Sequence, residues 1–141
     1  MSALSWDGEA REVKARFARL DDDLTGLWPE MAYGTWNRDQ MLVAESDDGS
    51  LAGGLLFIDG GHAVFYVESI RVAPRETRRF YVVKPLLQAV FDYAREHGKL
   101  IACWPVPEGE FADLLMRSGC EDQGPHRYLL RRVHDALPWE R

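Results

Sequence analysis

Between positions 68 and 84 the chain carries one carboxylate, Glu68, followed by a concentration of cations: Arg71, Arg75, Arg78, Arg79 and Lys84. Glu68 lies in HAVFYVESIRVA, where strand alternation sets Val64, Tyr66, Glu68, Ile70 and Val72 on one face. A carboxylate among apolar neighbours loses hydration and its pKa rises, which suits a general base for an ammonium nucleophile. The competing reading pairs Glu68 with an arginine such as Arg71, or turns it to solvent through a bulge. The cations sit in a loop that leads from this strand into an amphipathic helix. Guanidinium groups bind phosphate oxygens in bidentate fashion, so a small anionic ligand is one reading of the cluster. The other leaves the arginines as surface charge, or as contacts to an acidic partner.

Other chemistry-bearing residues are dispersed. Cys103 and Cys120 lack CxxC or Cys/His spacing and read as two buried thiols in a reducing compartment. His62, His97, His126 and His134 form no HxH or HExxH pattern, so no metal site is expected. The triplet Asp21, Asp22 and Asp23 reads as a solvated cap and turn.

The elements that position these residues follow from periodicity. Val13, Phe17, Leu20 and Leu24 recur at spacings of four, three and four, which predicts a helix over residues 8 to 20. Asp22 or Asp23 then caps a second short helix carrying Leu24, Leu27, Trp28 and Met31. QMLVAES, LAGGLLFID and HAVFYVESIRVA form an antiparallel meander, joined by turns at Asp47-Asp48-Gly49-Ser50 and Asp59-Gly60-Gly61. Gly53-Gly54 in mid-strand marks a bulge, a close backbone approach or a small-residue packing site.

Val83, Leu86, Leu87, Val90, Phe91 and Ala94 form the buried face of the next helix, stopped by Gly98. KLIACWPV is a buried strand, residues 108 to 118 a helix bearing Phe111, Leu114 and Leu115 and ended by Gly119, and HRYLLRRV a last strand. The step from strand 62–73 through a helix to strand 99–105 predicts a right-handed crossover with those strands parallel. A ligand then belongs outside the carboxyl end of the first strand. The expected architecture is one α/β domain over residues 1–141. It holds a mixed, mostly antiparallel sheet flanked by helices, in the order α-α-β-β-β-α-β-α-β.

This order, with ESIRVAP, the basic loop, LLQAVFDYAREHG, LIACWPV and ADLLMRSGC, resembles the GNAT N-acetyltransferase superfamily over nearly the whole chain. The resemblance implies acetyl-CoA as co-substrate, with its pyrophosphate and pantetheine on the long strand, loop and helix. On that footing Glu68 is the candidate base, and backbone N–H groups near Ser69 to Val72 polarise the thioester carbonyl. Ile70, Val72, Arg78, Arg79, Tyr81, Val82, Val83 and Lys84 are the candidate cofactor-binding residues.

Two departures accompany the resemblance. Tyr81 and Val83 stand where the family's loop has glycines, and each carries a Cβ that resists positive φ. Pro85 removes an amide donor. At a first helical position it would leave Lys84 capping a helix that starts a turn later. Either side chains replace the missing backbone donors, or no pyrophosphate is held. Leu115 occupies the place of the tyrosine that protonates the departing thiolate, and Cys120 that of the aromatic after Gly119. Tyr66, Tyr81 and Tyr128 are other candidate acids, and nothing in the sequence selects one.

The chain has 141 residues, 46% hydrophobic and 28% charged, with a net charge of -6. That balance suits a soluble globular protein and argues against nucleic acid as a partner. No apolar run of membrane-spanning length occurs, and the N-terminal segment lacks a signal-peptide core, so the cytoplasm is the expected location. The expected function is an acyl-CoA-dependent N-acyltransferase acting on a small-molecule or protein amine. The alternative is a catalytically inactive GNAT-like binding or structural module, a complex subunit or virion component, for which Trp6, Trp36 and Trp139 offer interface aromatics. Association with itself or with other proteins fits either reading.

Overall fold

The computed structural model describes residues 12–33, 37–105, 121–122 and 128–140. One sheet of seven strands runs through it in the order β1-β2-β3-β4-β5-β7-β6. The strands are β1 Val13–Phe17, β2 Met41–Ser46, β3 Leu51–Ile58, β4 Val64–Val72, β5 Ile101–Pro105, β6 Glu121–Asp122 and β7 Tyr128–Arg132. Between β4 and β5 lies the long helix α1, Arg79–Glu96. The meander and the crossover are as expected: β2 and β3 are antiparallel, and β4 and β5 parallel. The helix expected over 108 to 118, with Phe111, Leu114, Leu115 and Gly119, lies outside the described residues, as do Trp6, Trp36, Cys120 and His126.

The first expected helix is corrected to a strand over its described part. Val13 to Phe17 pair antiparallel with Ser46 to Leu42 of β2. VKARF alternates apolar and charged residues, a period of two that the four-three-four spacing concealed. Leu20, the third member of the supposed stripe, is 90% exposed. Cross-strand charge supports the pairing: Arg16 donates to both oxygens of Asp22 at 2.9 Å and reaches Glu45 of β2 at 3.3 Å. Beside that guanidinium the Asp22 carboxyl falls to about 2.

The second expected helix shortens to one turn and a 3-10 helix, Pro29–Tyr33. Its amides from Leu27 and Trp28 both donate to the Leu24 carbonyl. Asp23 caps the turn, accepting from the Thr25 amide at 3.1 Å and the Thr25 hydroxyl at 2.7 Å.

The packing forms two compact units. The first comprises Met1–Leu56 and Ser69–Val90. Its core gathers Leu24, Leu27, Trp28, Met41, Val43 and Ala73. Gly53 and Gly54 of β3 let neighbours approach closely. A Cβ on Gly53 would lie 2.5 Å from a Val82 methyl and 2.7 Å from the Arg71 carbonyl, and one on Gly54 would lie 2.5 Å from the Trp28 ring. The close-approach reading of this pair is therefore the one realised.

The second unit comprises Phe57–Glu68 and Phe91–Arg141. Its aromatic core runs from Phe57 to Phe65, Phe91 and Trp104, with successive ring centroids 6.5, 6.3 and 5.8 Å apart. A polar latch closes one side. Lys99 is buried and bonds Asp59 at 2.5 Å and the His62 carbonyl at 2.8 Å, while the Tyr93 hydroxyl donates to Asp59 at 2.7 Å.

Helix α1 ends as its sequence signals: Gly98 adopts φ +68°, its amide donates to Arg95, and the Lys99 amide reaches back to Ala94. Its start corrects an expectation. The helix begins at Arg79, so Lys84 is not its cap and Pro85 lies inside it. An interior proline costs about 3 kcal/mol. Val82 and Val83 are both fully buried in this register, and each buried valine contributes roughly 1.5–3 kcal/mol. Burial outweighs the lost hydrogen bond.

Candidate functional site

Parallel pairing between β4 and β5 covers three positions: Val64 with Ile101, Phe65 with Ala102, and Tyr66 with Cys103. Val67 and Glu68 of β4 and Trp104 and Pro105 of β5 extend beyond it without further pairing between the two strands. Peptide groups on those facing edges need other partners. Beyond this point β4 also loses its alternation. Phe65 and Val67 are buried and Tyr66 and Glu68 exposed, but Ser69, Ile70 and Arg71 are all half-buried in succession.

Glu68 is thus exposed, without the apolar enclosure expected around it. Nor does it hold Arg71, which donates to Glu30 at 2.9 Å and to the Leu27 carbonyl at 3.2 Å. Arg71 is thus engaged elsewhere, and the carboxylate is open to solvent and to an incoming group. The neighbouring Ser69 was not singled out by sequence. Its hydroxyl oxygen accepts a hydrogen bond from the Trp28 indole at 3.0 Å. Ile70 is half-buried and Val72 buried near the end of the strand.

The basic segment divides into two groups. Arg71 is spent on Glu30 and Leu27, and Arg75 donates to the Leu51 carbonyl at 3.0 Å. Arg78 and Arg79 stand at the start of α1, whose first turn contains no acidic residue. The helix end and the side chains there carry charge of one sign, a combination that attracts anions. Arg78 is exposed, with its guanidinium carbon 5.6 Å from the centroid of the Tyr81 ring. That ring meets Phe80 edge-on at 6.4 Å. Arg79, Tyr81 and Lys84 are half-buried.

The glycine question changes form in this geometry. Residues 79 to 84 are helical, so Tyr81 and Val83 need no positive φ. Val82 and Val83 face the core. Arg78, Arg79, Tyr81 and Lys84 are the candidate cofactor-binding residues of this segment that do not face the core.

On β5, Cys103 lies opposite Tyr66 and is buried, which pushes its thiol pKa up and keeps it protonated. Trp104, the next residue, is buried with an unpaired indole N–H. Neither its burial nor its missing partner carries a signal in the sequence beyond the apolar run around it.

No family model matches this sequence, and no curated protein matches it. Solved structures do. N-acetylglutamate synthase from Neisseria gonorrhoeae, complexed with coenzyme A and N-acetyl-glutamate, superposes with a TM-score of 0.69 at 16% identity, over 91% of this chain and 37% of that one. YncA from Salmonella typhimurium, solved with acetyl-CoA, gives 0.64 at 17% identity over 89% and 96% of the two chains. A GCN5-related N-acetyltransferase from Kribbella flavida gives 0.60 at 19%, over 85% and 97%. The chain spans little more than a third of the synthase. What these structures share with it is the fold, and that fold is the GNAT acetyltransferase fold. No helix among the described residues is long and apolar enough to cross a membrane.

Proposed function

We propose that this protein is an acyl-CoA-dependent N-acyltransferase that moves an acetyl group from acetyl-CoA to the amine of a small molecule or a protein. The observation that carries the reading is the parting of β4 from β5 after three paired positions. An opened pair of strands offers unpaired peptide donors and acceptors in a row, which matches an arm containing amides, such as pantetheine. The basic start of α1 supplies the complementary feature for phosphates, through Arg78, Arg79 and Lys84.

Acetyl-CoA supplies the acyl group as a thioester. Glu68 accepts the proton of the incoming ammonium, directly or through water, and the amine then attacks the thioester carbon. Backbone N–H groups between Ser69 and Val72 stabilise charge on the carbonyl oxygen. The carbon–sulfur bond breaks with the electron pair on sulfur, and the second proton lost from the nitrogen goes to that thiolate, directly or through water. A thiol has a pKa near roughly 8.5, so its thiolate leaves without a strong dedicated acid. The place of Leu115 in the sequence is compatible with this chemistry.

Isothermal titration of the protein with acetyl-CoA, followed by thiol release in the presence of amines, tests the proposal. Saturable heat and amine-dependent thiol release support it; no heat at millimolar ligand overturns it. A second reading, a GNAT-fold module without chemistry, draws on the internal use of Arg71 and Arg75. It is distinguished by acetyl-CoA binding without turnover of any amine, or by no binding at all.

A further inference from the structure

Two neighbouring side chains of β4 are exposed and uncommitted. Tyr66 is 44% exposed, and among the described residues its ring and hydroxyl make no hydrogen bond, ring contact or cation contact. Glu68 is exposed as well and holds no ion pair. Other tyrosines are occupied: Tyr81 meets Phe80 and Arg78, and Tyr93 meets Asp59, Phe57 and His97. Residues two apart on a strand share a face, so this free ring and this free carboxylate stand side by side with Cα atoms about 7 Å apart.

The strands beside β4 say what adjoins that pair. Tyr66 is in register with Cys103 of β5, and Cys103 with Leu130 of β7, so the three side chains form a row across one face of the sheet. The other face belongs to α1, where Phe65 meets Phe91 and Arg131 lies over the Phe91 ring. Cys103 is buried and its thiol protonated, and Leu130 is half-buried, so the row carries no charge. A cation is attracted to Glu68, and the net charge of -6 reinforces this. A second ammonium laid along the row would give up water and find no carboxylate on Tyr66, Cys103 or Leu130. A ring or branched hydrocarbon laid there gains by burial and by contact with the Tyr66 face.

We propose that the acceptor is a small primary amine with an aromatic or branched apolar group about two to four carbons from its nitrogen, the ammonium meeting Glu68 and the apolar group lying on the Tyr66 ring. This rests on the acyltransferase reading above and names its substrate class, setting aside diamines and peptide N-termini. Tyr66 is then a specificity residue that acts through its ring. The transfer is the one already described: the amide bond forms, the thioester bond breaks, and the two protons leaving nitrogen go to Glu68 and to the thiolate.

The experiment follows thiol release at saturating acetyl-CoA with 2-phenylethylamine, butylamine, 1,4-diaminobutane and a peptide with a free N-terminus. Wild type, Tyr66→Ala and Tyr66→Phe are compared. The expected kcat/KM for 2-phenylethylamine is about tenfold or more above that for the other three amines. Tyr66→Ala brings its ratio to butylamine close to one by raising KM, and Tyr66→Phe, which keeps the ring and loses the hydroxyl, keeps the ratio. A wild type that prefers diaminobutane or the peptide, or a Tyr66→Ala variant that retains the ratio, overturns the substrate class and leaves the acyltransferase reading standing. Should no amine be turned over, the acyltransferase reading fails, and the amide resonances of Tyr66 and Glu68 decide the binding face by themselves. Shifts with 2-phenylethylamine that are absent with butylamine support it, and equal shifts or none reject it. The same resonances serve if Tyr66→Ala folds poorly.

Discussion

The guanidinium of Arg78 lies over the ring of Tyr81, 5.6 Å from its centroid, so the residue in the expected glycine position holds a cation at the helix start. An arginine placed over an aromatic face loses less freedom when it binds a phosphate. Arg78→Ala is expected to weaken acetyl-CoA binding about tenfold, with a shallower dependence on salt than the wild type. Tyr81→Gly does not restore a phosphate cradle. It loosens a helical position by about 1 kcal/mol and removes the platform under Arg78, so binding weakens. Titration calorimetry at two salt concentrations checks both, and tighter binding by Tyr81→Gly contradicts the role given to the ring.

Gly53 determines how closely α1 approaches β3. Its missing Cβ would meet Val82 at 2.5 Å and the Arg71 carbonyl at 2.7 Å, and the carbonyl cannot turn aside as a side-chain tip can. Gly53→Ala should therefore lower stability by about 1–3 kcal/mol in urea unfolding. Acetyl-CoA binding should suffer as well, because Val82 sits within the basic turn. Gly26→Ala, where no atom lies within 4 Å, serves as the control for a change without steric consequence.

How far the site could be read from the chain depended on distance along it. The β4–α1–β5 crossover was legible because alternation, the apolar face of α1 and Gly98 are local signals. The segment 13–17 was misread because VKARF fits both a period of two and a longer stripe, and only pairing with β2 decides between them. The arginine cluster looked uniform in sequence. Arg71 finds Leu27 and Glu30, and Arg75 finds Leu51, through contacts between residues more than twenty positions apart. No local pattern announces such partners. Glu68 shares the exposed face of β4 with Tyr66; alternation separates the two faces of a strand and does not say which of them is covered.

The Asp59 latch predicts loss of stability at both ends of the pH scale. Hydrogen bonding to Lys99, assisted by Tyr93 and the Gly61 amide, lowers the Asp59 carboxyl from 3.8 to about 2. A depressed folded pKa gives stability that is present above the unfolded value and lost as pH falls from about 4 towards 2. Tyr93 moves the other way, raised from 10.0 to about 12 by burial and then by its bond to Asp59. Its contribution is present below pH 10 and lost as pH rises towards 12. Asp59→Asn should flatten the acid limb of a stability–pH curve and Tyr93→Phe the alkaline limb. Chemical unfolding at pH 2.5, 4, 7, 10 and 11.5 reads both, and wild-type limbs in either variant would remove the assigned cause.

On the proposed acyltransferase reading, Glu68 is the residue on which catalysis, as distinct from binding, turns. It is exposed on the part of β4 that has left β5, and an incoming amine can reach it without rearrangement of the core. Glu68→Gln keeps the shape and removes the basic oxygen. The turnover number should fall about 100-fold while KM for acetyl-CoA stays within about twofold, because proton removal is made harder and CoA binding is left alone. The rate should then rise with pH, as a growing fraction of the amine arrives already neutral, and approach the wild-type value at alkaline pH. A variant that matches the wild type in rate and pH profile places the base elsewhere; one that loses rate equally at every pH shows that Glu68 positions the amine and does not deprotonate it.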